Sequence, residues 1–259
     1  MTVITDSDMV DDSSRLARIF TTIQAKNRLL YTDTLKEPSD WGLLEDHASD
    51  QALFEELSFQ LFGAGFSRKV VRNRWPAIRA EFSDFGLLKV AEYGDEQLQV
   101  QVKNPALIRN RRKLAAVATN AGRVLEIAEQ HGSFRAWLDS YPLAERYLLH
   151  REVAKRFASI GERAAFWFLI SSGYELYYST DDTRRLLDRL GLLEQGERSR
   201  AKLNRVMVGL SEASGAGLWA VSRDLHRFAS GYRMKEPVCA ERPRCPKCPL
   251  WDDCVFFNA

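Results

Sequence analysis

The four cysteines of this 259-residue chain lie together near its C-terminal end and constrain its structure more than any other feature. They are Cys239, Cys245, Cys248 and Cys254, in the pattern Cys-x5-Cys-x2-Cys-x5-Cys. A disulfide framework distributes its cross-links along a chain, so thiols confined to one segment indicate a metal site. Structural zinc sites usually offer two Cys-x2-Cys pairs, whereas this segment has one pair between two single thiols. We therefore expect a [4Fe-4S] cluster, which takes one thiolate at each iron, with a zinc site of unusual spacing as the alternative.

The composition is that of a soluble globular chain, with 45% hydrophobic and 28% charged residues. No stretch is apolar for the roughly 20 residues that a membrane-spanning helix needs, so we expect no membrane association. The N-terminal residues are acidic and lack the basic and apolar segments of a secretory signal, and we expect a cytoplasmic protein. Because the formal net charge is only +2, a nucleic-acid partner would require a local basic patch.

Hydrophobic residues recur with the period of an α-helix along almost the whole chain. Residues 53–61 form one apolar stripe, and Ser49 and Asp50 precede it as candidate helix caps. Residues 114–128 repeat the pattern, and residues 164–170 are apolar on nearly all sides, as in a buried central helix. The one alternating stretch, Leu98–Val102, is too short to indicate a sheet. The pattern predicts an all-α protein.

The cysteine segment resembles the iron–sulfur loop of a known superfamily. Residues 238–254, VCAERPRCPKCPLWDDC, are similar to the C-terminal loop of endonuclease III and adenine DNA glycosylase, which are helix-hairpin-helix DNA glycosylases. The first gap between cysteines is one residue shorter here than is usual in those proteins. The resemblance implies a [4Fe-4S] cluster at residues 239–254, with a structural and DNA-contacting role.

Upstream of the cysteines, two helical patterns meet at Ser159, Ile160 and Gly161, within the sequence KRFASIGERAA. We expect Gly161 to supply a backbone turn that is closed to residues with a side chain. The first turn of the next helix would then offer free N–H groups to a DNA phosphate. The segment, at about residues 157–163, resembles the superfamily's hairpin, although a plain corner between two helices would have a similar pattern.

The body of the chain is similar to a second family of the same superfamily, 3-methyladenine DNA glycosylase I. The similarity lies in Trp41–Gly42, Leu53–Val71, Asn104–Ala121 and Gly132–Leu138, in the same order and spacing as in that family. This chain lacks that family's zinc ligands and has the cysteine segment instead.

The resemblance implies a pocket for a flipped-out base that contains Trp41, Gln60 and Arg68. Gln60 occupies the position of the glutamate that reads the methylated base in the family, and Arg68 occupies that of a pocket tryptophan. An amide can both donate and accept hydrogen bonds, whereas a carboxylate only accepts them. The differences argue against assuming 3-methyladenine as the substrate. Alternatively, the Gln60 amide is satisfied by neighbouring backbone.

A basic stretch without acidic residues forms the clearest candidate for phosphate binding. It comprises Lys103, Arg109, Arg111, Arg112, Lys113 and Arg123. A solvated helix face is the alternative, but such a face usually mixes charges of both signs.

Catalytic candidates follow from the superfamily resemblance. Its members place an aspartate at a helix N-terminus, where the carboxylate supports the positive sugar left as the base departs. The matching position here is Thr180, and Asp181 and Asp182 follow directly. We take Asp181 as the first candidate and Asp182 as the second. Alternatively, both carboxylates only complement the helix dipole behind a threonine cap.

The lysine that serves as the lyase nucleophile in some members matches Arg163, which cannot lose its proton to attack the sugar. We therefore expect a monofunctional DNA glycosylase that removes an alkylated or otherwise damaged base from double-stranded DNA, as a monomer, in base excision repair or in defence against modified DNA. The alternatives are a weakly catalytic iron–sulfur protein that senses modified DNA and a zinc-stabilised DNA-binding module. The expected fold has two helical lobes, residues 45–178 with the hairpin and residues 1–44 plus 179–259 with the cysteine segment.

Overall fold

The computed structural model describes residues 9–30, 44, 48–230 and 237–258. These residues form helices, turns and loops, and the described part of the chain contains no β-strand. This confirms the all-α prediction, and Leu98–Val102 lies in a helix. The helices are α1 (Met9–Leu30), α2 (Asp50–Gly63), α3 (Arg68–Glu81), α4 (Leu87–Ala91), α5 (Asp95–Lys103), α6 (Arg111–His131), α7 (Phe134–Asp139), α8 (Leu149–Arg156), α9 (Glu162–Ser171), α10 (Asp181–Arg189), α11 (Arg200–Ser214), α12 (Leu218–Ser230) and α13 (Val255–Asn258).

The chain divides into two compact units. The middle unit is Pro38–Tyr174, and the terminal unit combines Met1–Glu37 with Glu175–Ala259. The boundaries lie several residues before those expected from the sequence. None of the described helices is long and apolar enough to cross a membrane.

Short polar side chains start most of the longer helices. Each accepts a hydrogen bond from a backbone N–H of the first turn, which has no partner within the helix. The capping residues are Ser49, Ser67, Asn110, Ser133, Thr180 and Ser199. Of the two cap candidates expected for α2, Ser49 is the cap, and Asp50 is the first residue of the helix.

The core of the middle unit surrounds α9. This helix packs against α2 and α8, and its Phe168 stacks on Phe134 of α7 with ring centroids 5.9 Å apart. Asp50, the first residue of α2, accepts hydrogen bonds from the backbone N–H groups of Phe134 and Arg135 at 2.8 and 3.1 Å. These contacts hold the first turn of α2 against the first turn of α7, with α9 beside them.

In the terminal unit, α1 packs against α11 and α12. The buried Asn27 of α1 donates from Nδ2 to the backbone oxygen of Asp224 at 2.9 Å. Arg15 donates to the backbone oxygens of Leu190 and Asp253 at 2.7 and 3.2 Å, so α1 also contacts both the end of α10 and the cysteine segment.

Candidate functional site

The predicted hairpin is present between α8 and α9, but its strained residue is not the one expected. Gly161 has φ −89° and ψ 167°, which is extended backbone that any residue adopts. Ser159 instead has φ 59°, in the left-handed region. The expectation that Gly161 supplies the turn was wrong, because the chain reverses two residues earlier. Ile160, between them, is buried and anchors the hairpin in the core.

Gly161 is the last residue before α9, and the space where a side chain would stand at this position is open. A Cβ added there would meet no atom of the described residues within 4 Å. The residue provides no side-chain cap for the helix, so the first-turn N–H groups of α9 are left for another acceptor. Arg163 is exposed in the same turn. A phosphate can therefore approach the backbone closely at this point.

Asn120 of α6 holds the hairpin in place, and the sequence analysis did not select it. Its side chain is 1% exposed. Its Nδ2 donates to the backbone oxygen of Ala158 at 3.1 Å, and its Oδ1 accepts from the Ala158 N–H at 2.7 Å. Arg123, one turn further along α6, donates to the backbone oxygen of Arg156 at 2.7 Å. The signal was an asparagine on the apolar face of a helix, since a buried amide needs partners.

The basic stretch separates into exposed and buried parts. Arg109, Arg111 and Arg112 are exposed, as a phosphate-binding surface requires. Lys113 is 9% exposed, and its ammonium donates to the backbone oxygens of Phe62, at 3.1 Å, and Ala64. The assignment of Lys113 to the DNA-binding surface is therefore corrected: its charge stabilises the carbonyl end of α2. Burial lowers the pKa of the Lys113 ammonium.

The pocket candidates lead to a residue that the sequence analysis did not name. Gln60 is 7% exposed, and its Nε2 donates to Oε1 of Glu56, one turn earlier on α2, at 2.6 Å. The partner of the Gln60 amide is thus a carboxylate and not the backbone. The Ser171 side chain of α9 also lies near Glu56 and favours its ionised form. The third candidate, Trp41, lies outside the described residues.

Arg68 completes this group from the first turn of α3. Its guanidinium carbon lies 5.2 Å from the centroid of the Trp167 ring of α9, a cation–π distance. Its positive charge favours the ionised form of Glu56, but burial of the Glu56 carboxyl outweighs this effect and raises its pKa. We call Glu56, Gln60, Arg68, Trp167 and Ser171 the Glu56 cluster.

The catalytic candidates lie at the start of α10, in the terminal unit. Thr180 caps this helix by accepting from the Thr183 N–H at 3.2 Å. The Asp181 side chain is 92% exposed and lies 3.8 Å from Arg198. Asp182 accepts from Arg185 at 2.7 Å. Both carboxylates therefore lie in the first turn of α10, where they complement the helix dipole and remain accessible from solvent.

The cysteine segment wraps around the end of α10. Arg189 donates to Sγ of Cys239 at 3.5 Å and to the backbone oxygen of Ala240 at 2.7 Å. The Cys254 thiol donates to the Arg189 backbone oxygen at 3.4 Å. Burial, followed by the other three thiols, raises the pKa of Cys248 to about 11. The other three thiols therefore lie close enough to Cys248 to act on its charge. Among the described residues, however, no group of three or more His, Cys, Asp or Glu side chains could hold a metal ion.

Comparisons with known proteins identify the family. The methyladenine glycosylase family model matches residues 31–163, which include the Glu56 cluster positions on α2 and α3, the basic stretch and the hairpin. The chain therefore belongs to the methyladenine glycosylase family, and it is a DNA glycosylase.

Solved structures with some similarity carry related names. A crystal structure of 3-methyladenine DNA glycosylase I is 25% identical, with TM-score 0.44, over 51% of this chain and 82% of that one. The Staphylococcus aureus enzyme of the same name, solved to explain 3-methyladenine recognition, is 24% identical, with TM-score 0.44, over 48% and 77%. A trapped endonuclease III–DNA covalent intermediate is 12% identical, with TM-score 0.43, over 94% and 97%.

The different environments of Lys113 and Arg112 can be tested by parallel substitutions. We expect Lys113→Met to lower the free energy of unfolding by about 1.5–3 kcal/mol, because two carbonyl oxygens lose a charged donor, and to leave the salt dependence of DNA binding unchanged. Arg112→Gln should leave stability unchanged and reduce the slope of log affinity against log salt by about one unit. Denaturant unfolding and binding titrations at several salt concentrations measure both. The reverse pattern would place Lys113 at the DNA.

Proposed function

We propose that this DNA glycosylase is monofunctional and excises a modified base from double-stranded DNA. Water supplies the oxygen that bonds to the sugar carbon as the bond from that carbon to the base breaks. The base leaves with a proton, and the strand remains intact with an abasic site. The family match over residues 31–163 carries this proposal, because it includes Glu56, Gln60 and Arg68 and extends through the hairpin to Arg163.

The hairpin and the exposed arginines would bind the DNA backbone. Ser159 and Gly161 flank the buried Ile160, and the open space at Gly161 leaves the first turn of α9 accessible to a phosphate oxygen. Arg163 would add a charge to the same phosphate. Arg109, Arg111 and Arg112 offer further phosphate contacts that do not depend on sequence.

The expected absence of lyase activity rests on Arg163. Schiff-base chemistry needs an amine that is neutral for long enough to attack the sugar. Arg163 stands where the superfamily's lysine would be, and a guanidinium stays protonated at physiological pH. Water must then complete the reaction, with Asp181 or Asp182 orienting it or stabilising the positive charge on the sugar.

We expect single-turnover reactions with duplexes containing modified bases to release a free base and to leave a strand that breaks only after added alkali. Borohydride should trap no protein–DNA adduct. Asp181→Asn and Asp182→Asn, tested separately, show which carboxylate acts. Replacing the active carboxylate should lower the release rate by about 100-fold. A trapped adduct would contradict the monofunctional assignment. Tight binding of the modified duplex without release would support a DNA-sensing role.

We also propose that Cys239, Cys245, Cys248 and Cys254 hold a [4Fe-4S] cluster. Four thiols in one short segment are the donor set that such a cluster requires, and the other three act on the charge of Cys248. Burial raises the pKa of Cys239, and Arg189 beside it opposes this effect by favouring the thiolate form that a ligand requires. The cluster would stabilise the segment and contribute to DNA contact without taking part in hydrolysis.

Metal analysis of protein purified without oxygen should find about four iron atoms per chain, together with broad visible absorbance. Replacing Cys248 by Ser should lower both the iron content and the yield of soluble protein, because the energy of cluster binding is also folding energy. Ser222→Ala, in the same unit and away from the segment, serves as the control. Zinc without iron would contradict the proposal and identify a zinc site.

A further inference from the structure

Glu56 has an environment that packing alone does not explain. It is on the same helix as Leu53, Leu57 and Leu61, which are fully buried. Burial raises the pKa of its carboxyl, and the neighbouring Glu55 adds to this effect. A raised carboxyl pKa means that the ionised group costs stability in the folded state. An apolar residue at this position would avoid that cost, and groups kept at such a cost are concentrated at functional sites.

Three helices supply the groups that face Glu56. Gln60 of α2 donates from Nε2 at 2.6 Å, and the Ser171 side chain of α9 lies near enough to act on the carboxyl. Arg68 of α3 provides a positive charge nearby and lies over the Trp167 ring. All three favour the ionised carboxylate. The cluster therefore keeps a partly desolvated carboxylate oriented by fixed donors, beside an aromatic ring.

Gln60 holds the carboxylate in place. One of the two N–H groups of its Nε2 is donated to Glu56, on the same helix. This hydrogen bond limits the rotation of the Glu56 side chain. This arrangement makes Gln60 a positioning residue for Glu56.

We propose that Glu56 recognises the flipped-out base by accepting a hydrogen bond from its exocyclic amino group, so that the enzyme selects modified adenine- or cytosine-type bases. The inference rests on the proposed glycosylase function. Adenine and cytosine carry an amino donor where hypoxanthine and uracil carry an oxygen. An ionised carboxylate has no proton to donate, so the oxygen of an oxo base would meet a second acceptor. Buried sites that lose a required hydrogen bond discriminate strongly against the analogue.

Binding of free bases tests the proposal without requiring base excision. Thermal unfolding of the whole chain is measured with an excess of one free base at a time. The two pairs of amino base and oxo counterpart are 3-methyladenine with 3-methylhypoxanthine, and 5-methylcytosine with thymine. We expect at least one amino base to raise the unfolding midpoint, and its oxo counterpart to bind at least tenfold more weakly. Glu56→Gln should abolish this preference, whereas Glu126→Gln, an exposed carboxylate on α6, should retain it.

Base release from DNA provides a second readout. Each duplex carries one modified base, and the duplexes are compared two at a time. The comparisons of amino with oxo base are 5-hydroxymethylcytosine with 5-hydroxymethyluracil, and 8-oxoadenine with 8-oxohypoxanthine. For any pair that is processed, we expect the amino base to be released faster. Glu56→Gln should slow release of the amino base by about 100-fold or more. Ser171→Ala should cause about a tenfold loss, and Ser171→Thr, which retains the hydroxyl, should restore the rate.

Stability separates recognition from a structural role. In the wild type, the pKa of Glu56 is raised in the folded state. Its ionisation therefore lowers the free energy of unfolding as pH rises from the ordinary glutamate pKa through the folded-state pKa. The charged groups acting on it are Glu55 and Arg68. Glu56→Gln lacks this titration, so its unfolding midpoint should equal or exceed that of the wild type, with a difference that grows as pH rises.

The outcomes distinguish this inference from the proposed function. If amino bases bind in a manner that depends on Glu56 but no duplex releases a base, the proposed function fails and the recognition role stands. If bases are released without amino preference, or Glu56→Gln leaves the preference intact, the recognition role fails. Binding of none of the free bases, or a lowered midpoint with retained preference in Glu56→Gln, also overturns it.

Discussion

The two hydrogen bonds between the Asn120 side chain and the Ala158 backbone determine where the functional elements of the middle unit lie. They fix the hairpin against α6 just before Ser159 enters the left-handed region. The same helix binds the carbonyl end of α2 through Lys113. One helix thus positions both the element proposed to bind phosphate and the helix that carries Glu56. Losing the Asn120 amide would leave both Ala158 groups without their partner, at a cost of about 1–3 kcal/mol for each buried group.

Much of this architecture can be predicted from the sequence. Helical periodicity and capping residues such as Ser49 and Thr180 depend on local interactions, which is why the start of α2 and α10 matched the prediction. The family resemblance agreed with the methyladenine glycosylase match, because it used several segments in a fixed order. Local chemistry and ordered motifs therefore give reliable expectations for a helical protein.

The remaining features depend on tertiary contacts. Arg112 and Lys113 are adjacent and both basic, but one faces solvent and the other the end of α2. The glycine of the hairpin looked like the strained residue, whereas the serine two positions earlier has the positive φ. The family resemblance places the recognising glutamate at the position of Gln60, so the sequence offered no reason to select Glu56. A carboxylate one turn away on the same helix face became visible only with the structure.

In the proposed recognition role, the Glu56 carboxylate lies one helical turn, about 5.4 Å along α2, before the position that Gln60 occupies. Exchanging the two side chains tests this most directly: the double variant Glu56→Gln/Gln60→Glu keeps the composition and charge of the helix and moves only the carboxylate. In single-turnover base release, the account predicts a loss of about 100-fold or more on the wild-type substrate, with the unfolding midpoint retained. An unchanged rate and an unchanged preference between amino and oxo bases would contradict it.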